Sequence, residues 1–415
     1  MAGPGSIASP IRLAWTSGCA TFDIGLSSTR FTQENLLLVN EITSGRVLEL
    51  FLELAAIPSP PGDERRVADA VVAALRELGL EADEDGAGAR IGGSAGNVLC
   101  RLEPSNGGAG TPIFLCAHLD TVPPEGPIEP VVEDGWVRNR EATILGGDNK
   151  AAVAVMLEAA GRIVREGRPH AGIELLFTPK EEVGLLGAGA FDHTRLHARV
   201  GYVYDQAAPI GDIVLGAPTQ LSLKVRFHGR AAHAGMVPEE GRSAIYAAAK
   251  AISDLRLGRI DDETTANVGL ISGGTARNIV PEWCELDVEL RSHDEAKVGD
   301  LLQETLDAVA FAAGVAECEV ETQLEETYRG YRFRRDEAPV RLAAKALERS
   351  GFTPRYTLTG GGADANVFNE RGLACVNIAN GMTDIHTPDE RIAVDDLERM
   401  VDVTLALVDA ARDAA

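Results

Sequence analysis

Short apolar runs alternate with amphipathic stretches along most of this chain, and that alternation restricts the fold more than any other feature. Ile113-Phe114-Leu115-Cys116-Ala117 and Ile173-Glu174-Leu175-Leu176-Phe177 have the length and bulk of buried strands, and residues 151–163 between them read as a helix. Upstream, Val47, Leu50, Phe51 and Leu54 form a helical stripe that must end at Pro58-Ser59-Pro60-Pro61-Gly62. A second helix over 63–78 stops at Gly79. Such alternation builds an α/β sheet covered by helices. Between about Gly216 and Glu326 the pattern changes. Strands are expected over 221–227, 268–271, 284–290 and 318–322, with helices over 243–257 and 295–312. That β-α-β-β-α-β order suits a small two-layer α+β domain of ferredoxin-like topology. Helix 339–349, strand 374–378 and helix 394–410 then resume the first pattern. The expected organisation is an α/β domain over residues 41–215 and 327–415, with an α+β domain inserted over 216–326. Residues 1–40 lack clear periodicity and read as an N-terminal extension outside the core, with disorder expected.

The length, 415 residues, agrees with two or three domains. A net charge of -24 repels phosphate backbones and argues against a nucleic-acid partner. No apolar run approaches the ~18 residues of a membrane span, and no basic segment followed by an apolar core marks a secretory signal. The cysteines, Cys19, Cys100, Cys116, Cys284, Cys318 and Cys375, are scattered without a C-x-x-C pair. Free buried thiols in a reducing cytoplasm are expected, rather than a thiolate zinc cage or a disulfide framework.

Four strands share one layout, with acidic or histidine residues at the carboxyl end. Strand 113–117 leads to His118-Leu119-Asp120, and strand 173–177 to Glu181-Glu182. Strand 200–204 ends at Asp205, and strand 374–378 reaches His386 through a glycine-containing loop. In open α/β sheets ligands bind outside the carboxyl ends of the strands, so these residues converge on one rim. Gly146-Gly147-Asp148-Asn149-Lys150 adds a carboxylate near a helix N-terminus, where negative charge is favoured. Taken singly, each has a blander reading: a surface turn, a solvated Glu pair, a helix cap, a loop histidine. Together they supply two imidazoles and three carboxylates, a donor set for two divalent ions, zinc first and cobalt or manganese as alternatives. With Asp148 bridging, one ion takes His118 and Asp205 and the other Glu182 and His386. A hydroxide shared between the ions would neutralise the site and attack the substrate. Asp120 could orient the His118 imidazole, and Glu181 could carry the proton from the water to the leaving amine.

At these residues the chain resembles the co-catalytic zinc metallopeptidase family of peptidase T, carboxypeptidase G and the aminoacylases. The matching stretches are Cys116 to Pro123, Gly146-Gly147-Asp148-Asn149-Lys150, Pro179-Lys180-Glu181-Glu182-Val183-Gly184, Gly360 to Asn366 and Ile385-His386-Thr387-Pro388. They run in order from about Arg46 onward, and the peptidase T-like branch is the nearest in pattern. The resemblance implies a cis bond between Asp148 and Asn149. It also implies a lid and dimerisation role for the inserted domain, and hence a homodimer. His233, in Gly229-Arg230-Ala231-Ala232-His233-Ala234-Gly235, matches the family's oxyanion-stabilising position, often supplied across the dimer. Asn278 and Arg291 match positions that hold polar groups or the carboxylate of the substrate. Asp205, where carboxypeptidases and deacylases commonly have Glu, points to an aminopeptidase or tripeptidase of short peptides. A deacylase, dipeptidase or carboxypeptidase on the same scaffold is the alternative, and an inactive metal-binding protein is the non-enzyme one. The N-terminal extension departs from the family pattern.

Overall fold

The computed structural model describes residues 45–105 and 109–414. The expected extension over 1–40, and Cys19 within it, lie outside the described residues.

The largest sheet among the described residues has nine strands. Its centre is Ile173–Thr178, Ile113–His118, Val200–Gln206 and Ala374–Ala379, side by side and all parallel. Parallel strands buried on both faces read as continuous apolar runs, which is why these segments lack polar alternation. Side chains nevertheless divide by parity. Ile113, Leu115 and Ala117 join a core with Phe51, Leu157, Val401 and Leu405. Those come from helices Arg46–Ala55, Gly147–Glu166 and Val394–Arg412 on one face. Phe114 and Cys116 point the other way, into a core with Phe191 and Phe368. The Phe114 and Phe368 rings meet edge to face with centroids 5.0 Å apart. Each buried aromatic or aliphatic side chain of this kind stabilises the fold by roughly 1.5–3 kcal/mol. Four parallel strands in one sheet send His118, the Glu181-Glu182 pair, Asp205 and the His386 loop to a common edge.

The second sheet has five antiparallel strands, in the order Gly258–Asp261, Thr264–Gly273, Trp283–Ser292, Thr219–His228, Glu319–Tyr328. Without the first, a short edge strand, this is the ferredoxin-like order. Helices Ala244–Asp254 and Glu295–Val315 cover one face, capped by Ser243 and Asp294 side chains that accept N–H groups of the first turn. Leu221, Leu223, Val225 and Phe227 face those helices and build a separate core. Gln220, Ser222, Lys224 and Arg226 alternate onto the open face. The chain enters this sheet through Pro218 and leaves through Arg329. The side-chain amide of Asn366 donates to both carbonyls, at 3.4 and 2.8 Å.

Several elements differ from expectation. The helix expected over 151–163 runs on to Glu166; its span opens at Gly147, but Asp148 and Asn149 have non-helical dihedrals, so regular helix starts only after them, close to the expected residue. The helix expected to reach residue 257 stops at Asp254, and Gly258–Asp261 becomes the edge strand. A hairpin of Pro130–Glu133 and Trp136–Asn139, extended by Arg391–Ala393, makes a third sheet that was not anticipated.

Candidate metal centre

His118 ends its strand in register with Thr178 of the neighbouring one. Its imidazole is buried, with Nδ1 2.9 Å from the carbonyl oxygen of Asp120. A carbonyl only accepts, so Nδ1 carries a proton and Nε2 is the nitrogen turned to the rim, where it can offer a lone pair to a metal once its own proton leaves. Nε2 lies 3.2 Å from Asp148 Oδ1 and 3.8 Å from Asp205 Oδ1. On the other side, His386 Nε2 lies 3.2 Å from Asp148 Oδ2 and 3.0 Å from Glu182 Oε1. The two oxygens of Asp148 therefore each face one imidazole.

Local backbone geometry produces this placement. Gly146 adopts φ 76°, a left-handed conformation that suits glycine, and opens the turn into the helix. The Asp148–Asn149 bond is cis, and both residues have non-helical dihedrals that swing the Asp148 carboxylate out to the rim. The main chain of Asp205 is held by a reciprocal amide pair with Asn377: Asp205 N–H donates to Oδ1 at 2.9 Å, and Nδ2 donates to the Asp205 carbonyl at 2.8 Å. The Asp120 carboxylate accepts the backbone N–H groups of Glu181 at 2.9 Å and Glu182 at 3.0 Å. Its nearer oxygen is 3.6 Å from His118 Nδ1, so the bond that sets the imidazole runs through the Asp120 carbonyl. The Asp120 carboxylate stands beside that imidazole, raises its pKa, and also holds the Glu pair.

Crowded like charges dominate the electrostatics. Burial pushes the His118 imidazole down, but its bonds to Asp120, Asp148 and Asp205 outweigh this and hold it well above the ordinary range. Bonds to Asp148 and Glu182 push His386 up to about 10. Burial and the adjacent Asp148 raise Asp205 to about 7. Burial, then Asp205, raises Glu181 far above the usual carboxylate range. For Asp148 the two histidines overcome burial and hold the carboxyl low. Acidic groups that resist ionising together, around imidazoles that hold protons strongly, form a site suited to cations. Ligand atoms of His118, Asp148 and Glu182 lie within 4.8 Å of one another, as do those of His118, Glu181 and Asp205. The donor types and spacing fit divalent metal ions.

A cleft of about 520 Å³ opens beside these residues, lined by Glu181, Glu182 and His386 on one side and by Gln220 and Arg291 of the second sheet on the other. Arg291 is already engaged: Nε and Nη2 fork onto Glu289 at 2.8 and 2.9 Å, and Nη1 donates to the Gly360 carbonyl at 2.9 Å. His233 and Asn278 line no part of this cleft. They are exposed neighbours, joined by an antiparallel bridge from His233 to Ile279 and by Ala234 N–H donating to the Asn278 carbonyl.

Three supporting side chains escaped the sequence reading. Glu390 is buried and accepts N–H groups from the Gly146–Asp148 turn. Asn377 holds Asp205. Asp364 is buried beneath the rim, where it accepts the Thr178 hydroxyl at 2.5 Å, and burial raises its carboxyl to about 6. Asp364 lies in the noted Gly360 to Asn366 stretch, a signal that could have singled it out. Nothing in the sequence distinguishes Glu390 from a solvated loop residue.

Residues 114–410 match the peptidase family M20/M25/M40. The uncharacterised protein YqjE of Bacillus subtilis (strain 168) is 37% identical over 374 residues, covering 90% of this chain and all of that protein. Among solved structures, aminopeptidase PepT from Bacillus cereus ATCC 10987 is 36% identical with a TM-score of 0.80, covering 89% of this chain and 98% of that one. A tripeptidase from Staphylococcus aureus subsp. aureus Mu50 is 34% identical with a TM-score of 0.84, covering 89% and 99%.

Proposed function

The chain belongs to the peptidase family M20/M25/M40, and from that premise we propose that it is a metal-dependent aminopeptidase of short peptides, a tripeptidase in the first instance. The observation that carries this reading is Asp148, whose two carboxylate oxygens each face a different histidine, as a carboxylate shared by two ions must. His118 and Asp205 would hold one ion, Glu182 and His386 the other, with zinc the ion we propose. Bound there, the ions would supply Lewis acidity and lower a water's pKa from 15.7 to about 7. Glu181 takes a proton from the water as its oxygen attacks the scissile carbonyl, then returns it to the amine nitrogen as the C–N bond breaks. Asp120 positions that carboxylate through the Glu181 and Glu182 backbone N–H groups.

We assign residues 41–215 with 327–415 to the catalytic domain and 216–326 to a lid, which supports a homodimer joined through the lid. Arg291, at the cleft, would bind the substrate carboxylate once Glu289 yields it. His233 and Asn278 would act at a partner's site. Asp205 is one methylene shorter than Glu, which leaves room for a free substrate amine near its ion. Unblocked tripeptides should therefore be cleaved from the N-terminus and N-acetylated ones far more slowly, as chromatography of the products would reveal. Release of the C-terminal residue first, or preference for N-acetyl substrates, would place the protein with the carboxypeptidases or deacylases.

A further inference from the structure

We propose that Glu390 is a positioning residue for the metal pair, its carboxylate holding the turn that presents Asp148 in register with the loop that presents His386. The inference rests on the reading of Asp148 and His386 as metal ligands. Glu390 is 2% exposed. Its Oε2 accepts the N–H groups of Leu145 and Gly146, both at 2.8 Å, and its Oε1 accepts Asp148 N–H at 2.8 Å. Three amides of one turn thus converge on one carboxylate, at the start of a helix where N–H groups lack intrahelical partners. Charge-assisted bonds of this kind are roughly twice as strong as neutral ones. The fit is close: a Cβ added to Gly147 would stand 3.2 Å from Glu390 Oε1.

The other end of the clamp is the His386 loop. Thr383 and Arg391 close it by reciprocal backbone bonds of 3.0 and 3.2 Å, and Glu390 N–H donates to the Thr387 carbonyl at 3.2 Å. His386 lies inside that closed loop. The distance from His386 Nε2 to Asp148 Oδ2 is therefore set by two short backbone segments that the Glu390 side chain ties together. Without it, each segment keeps its own turn, but their relative position loosens by the few tenths of an ångström to which coordination is sensitive.

The test is a cobalt(II) titration of the metal-stripped protein, followed by visible absorption, for the wild type, Glu390→Gln and Glu390→Asp. Glutamine nearly keeps the shape but turns an N–H donor toward the turn amides. In Glu390→Gln the second ion should bind about 10–100-fold more weakly, the range for a lost supporting partner of a ligand, with the first far less affected. Glu390→Asp, which keeps the charge on a shorter arm, should fall between. Melting of the metal-free proteins separates this from a general loss of fold. If Glu390→Gln does not fold, Glu390→Asp is decisive: weaker second binding at a wild-type melting temperature supports the inference. Wild-type affinities and spectra in the folded variants would overturn it. Two ions in the wild type with no change in the variants would refute the clamp alone, whereas a wild type that binds none would refute the metal reading and the clamp with it.

Discussion

Glu181 and Glu182 are adjacent, yet the geometry directs them differently. Glu182 Oε1 reaches His386 Nε2 at 3.0 Å, while Glu181 sits with His118 and Asp205. If Glu181 carries the proton and Glu182 holds an ion, Glu181→Gln keeps both metals and lowers kcat by at least ~10²-fold, the scale of a lost general base. Elemental analysis alongside kinetics checks it. Loss of an ion with the substitution would make Glu181 a ligand and reverse the division. The residues proposed as ligands converge where the strand pattern expects them, because each follows a recognisable strand or opens a helix: His118, Glu182 and Asp205 could be placed by counting from apolar runs. Their supports could not be. Asn377 sits within an apolar strand and Glu390 within a charged loop, and each finds its partner across more than a hundred residues of chain. The role of Asp120 was half legible: its place beside His118 was evident, but not that the same carboxylate also holds the Glu pair.

Central strands here depend on close contact between neighbours. Gly201, in Val200–Gln206, lies opposite Phe114 in the parallel register. A Cβ at Gly201 would fall 2.0–2.3 Å from carbons of the Phe114 ring, which is itself pinned by Phe368. Gly201→Ala should therefore destabilise the protein by at least about 1–3 kcal/mol, the usual cost of overpacking. A denaturant midpoint equal to the wild type's would show that the ring has room to move. The buried parallel strands and their helices were readable because length and apolar bulk mark them. The third sheet carried a signal that went unread: Asp134-Gly135, with φ 52° and 80°, is a two-residue hairpin turn between Val131-Val132 and Trp136-Val137. Its strands are short and charged, so periodicity gave no help. The edge strand Gly258–Asp261 is likewise too short to show an alternating pattern.

Across the whole molecule, the cleft is lined from the rim of the large sheet and from the second sheet, which have separate cores, and His233 and Asn278 lie away from it. The proposed homodimer, exchanging these residues, would give them a function, and light scattering should then find two chains per particle. Mixing His233→Ala with Glu181→Gln chains should then restore part of the activity that each lacks alone; a fully active monomer would exclude the arrangement. The fold and the proposed ligand set rest on order and spacing that a single chain displays, whereas assembly depends on surfaces that sequence patterns do not mark. Two ions shared by Asp148 are the centre of the proposed chemistry. The most direct measurement is metal content set against activity, in protein stripped by a chelator and then reloaded. About two divalent ions per chain in the active protein, with activity lost on stripping and regained on reloading, is the predicted result. Active protein without metal, or activity that survives prolonged chelation, would contradict it.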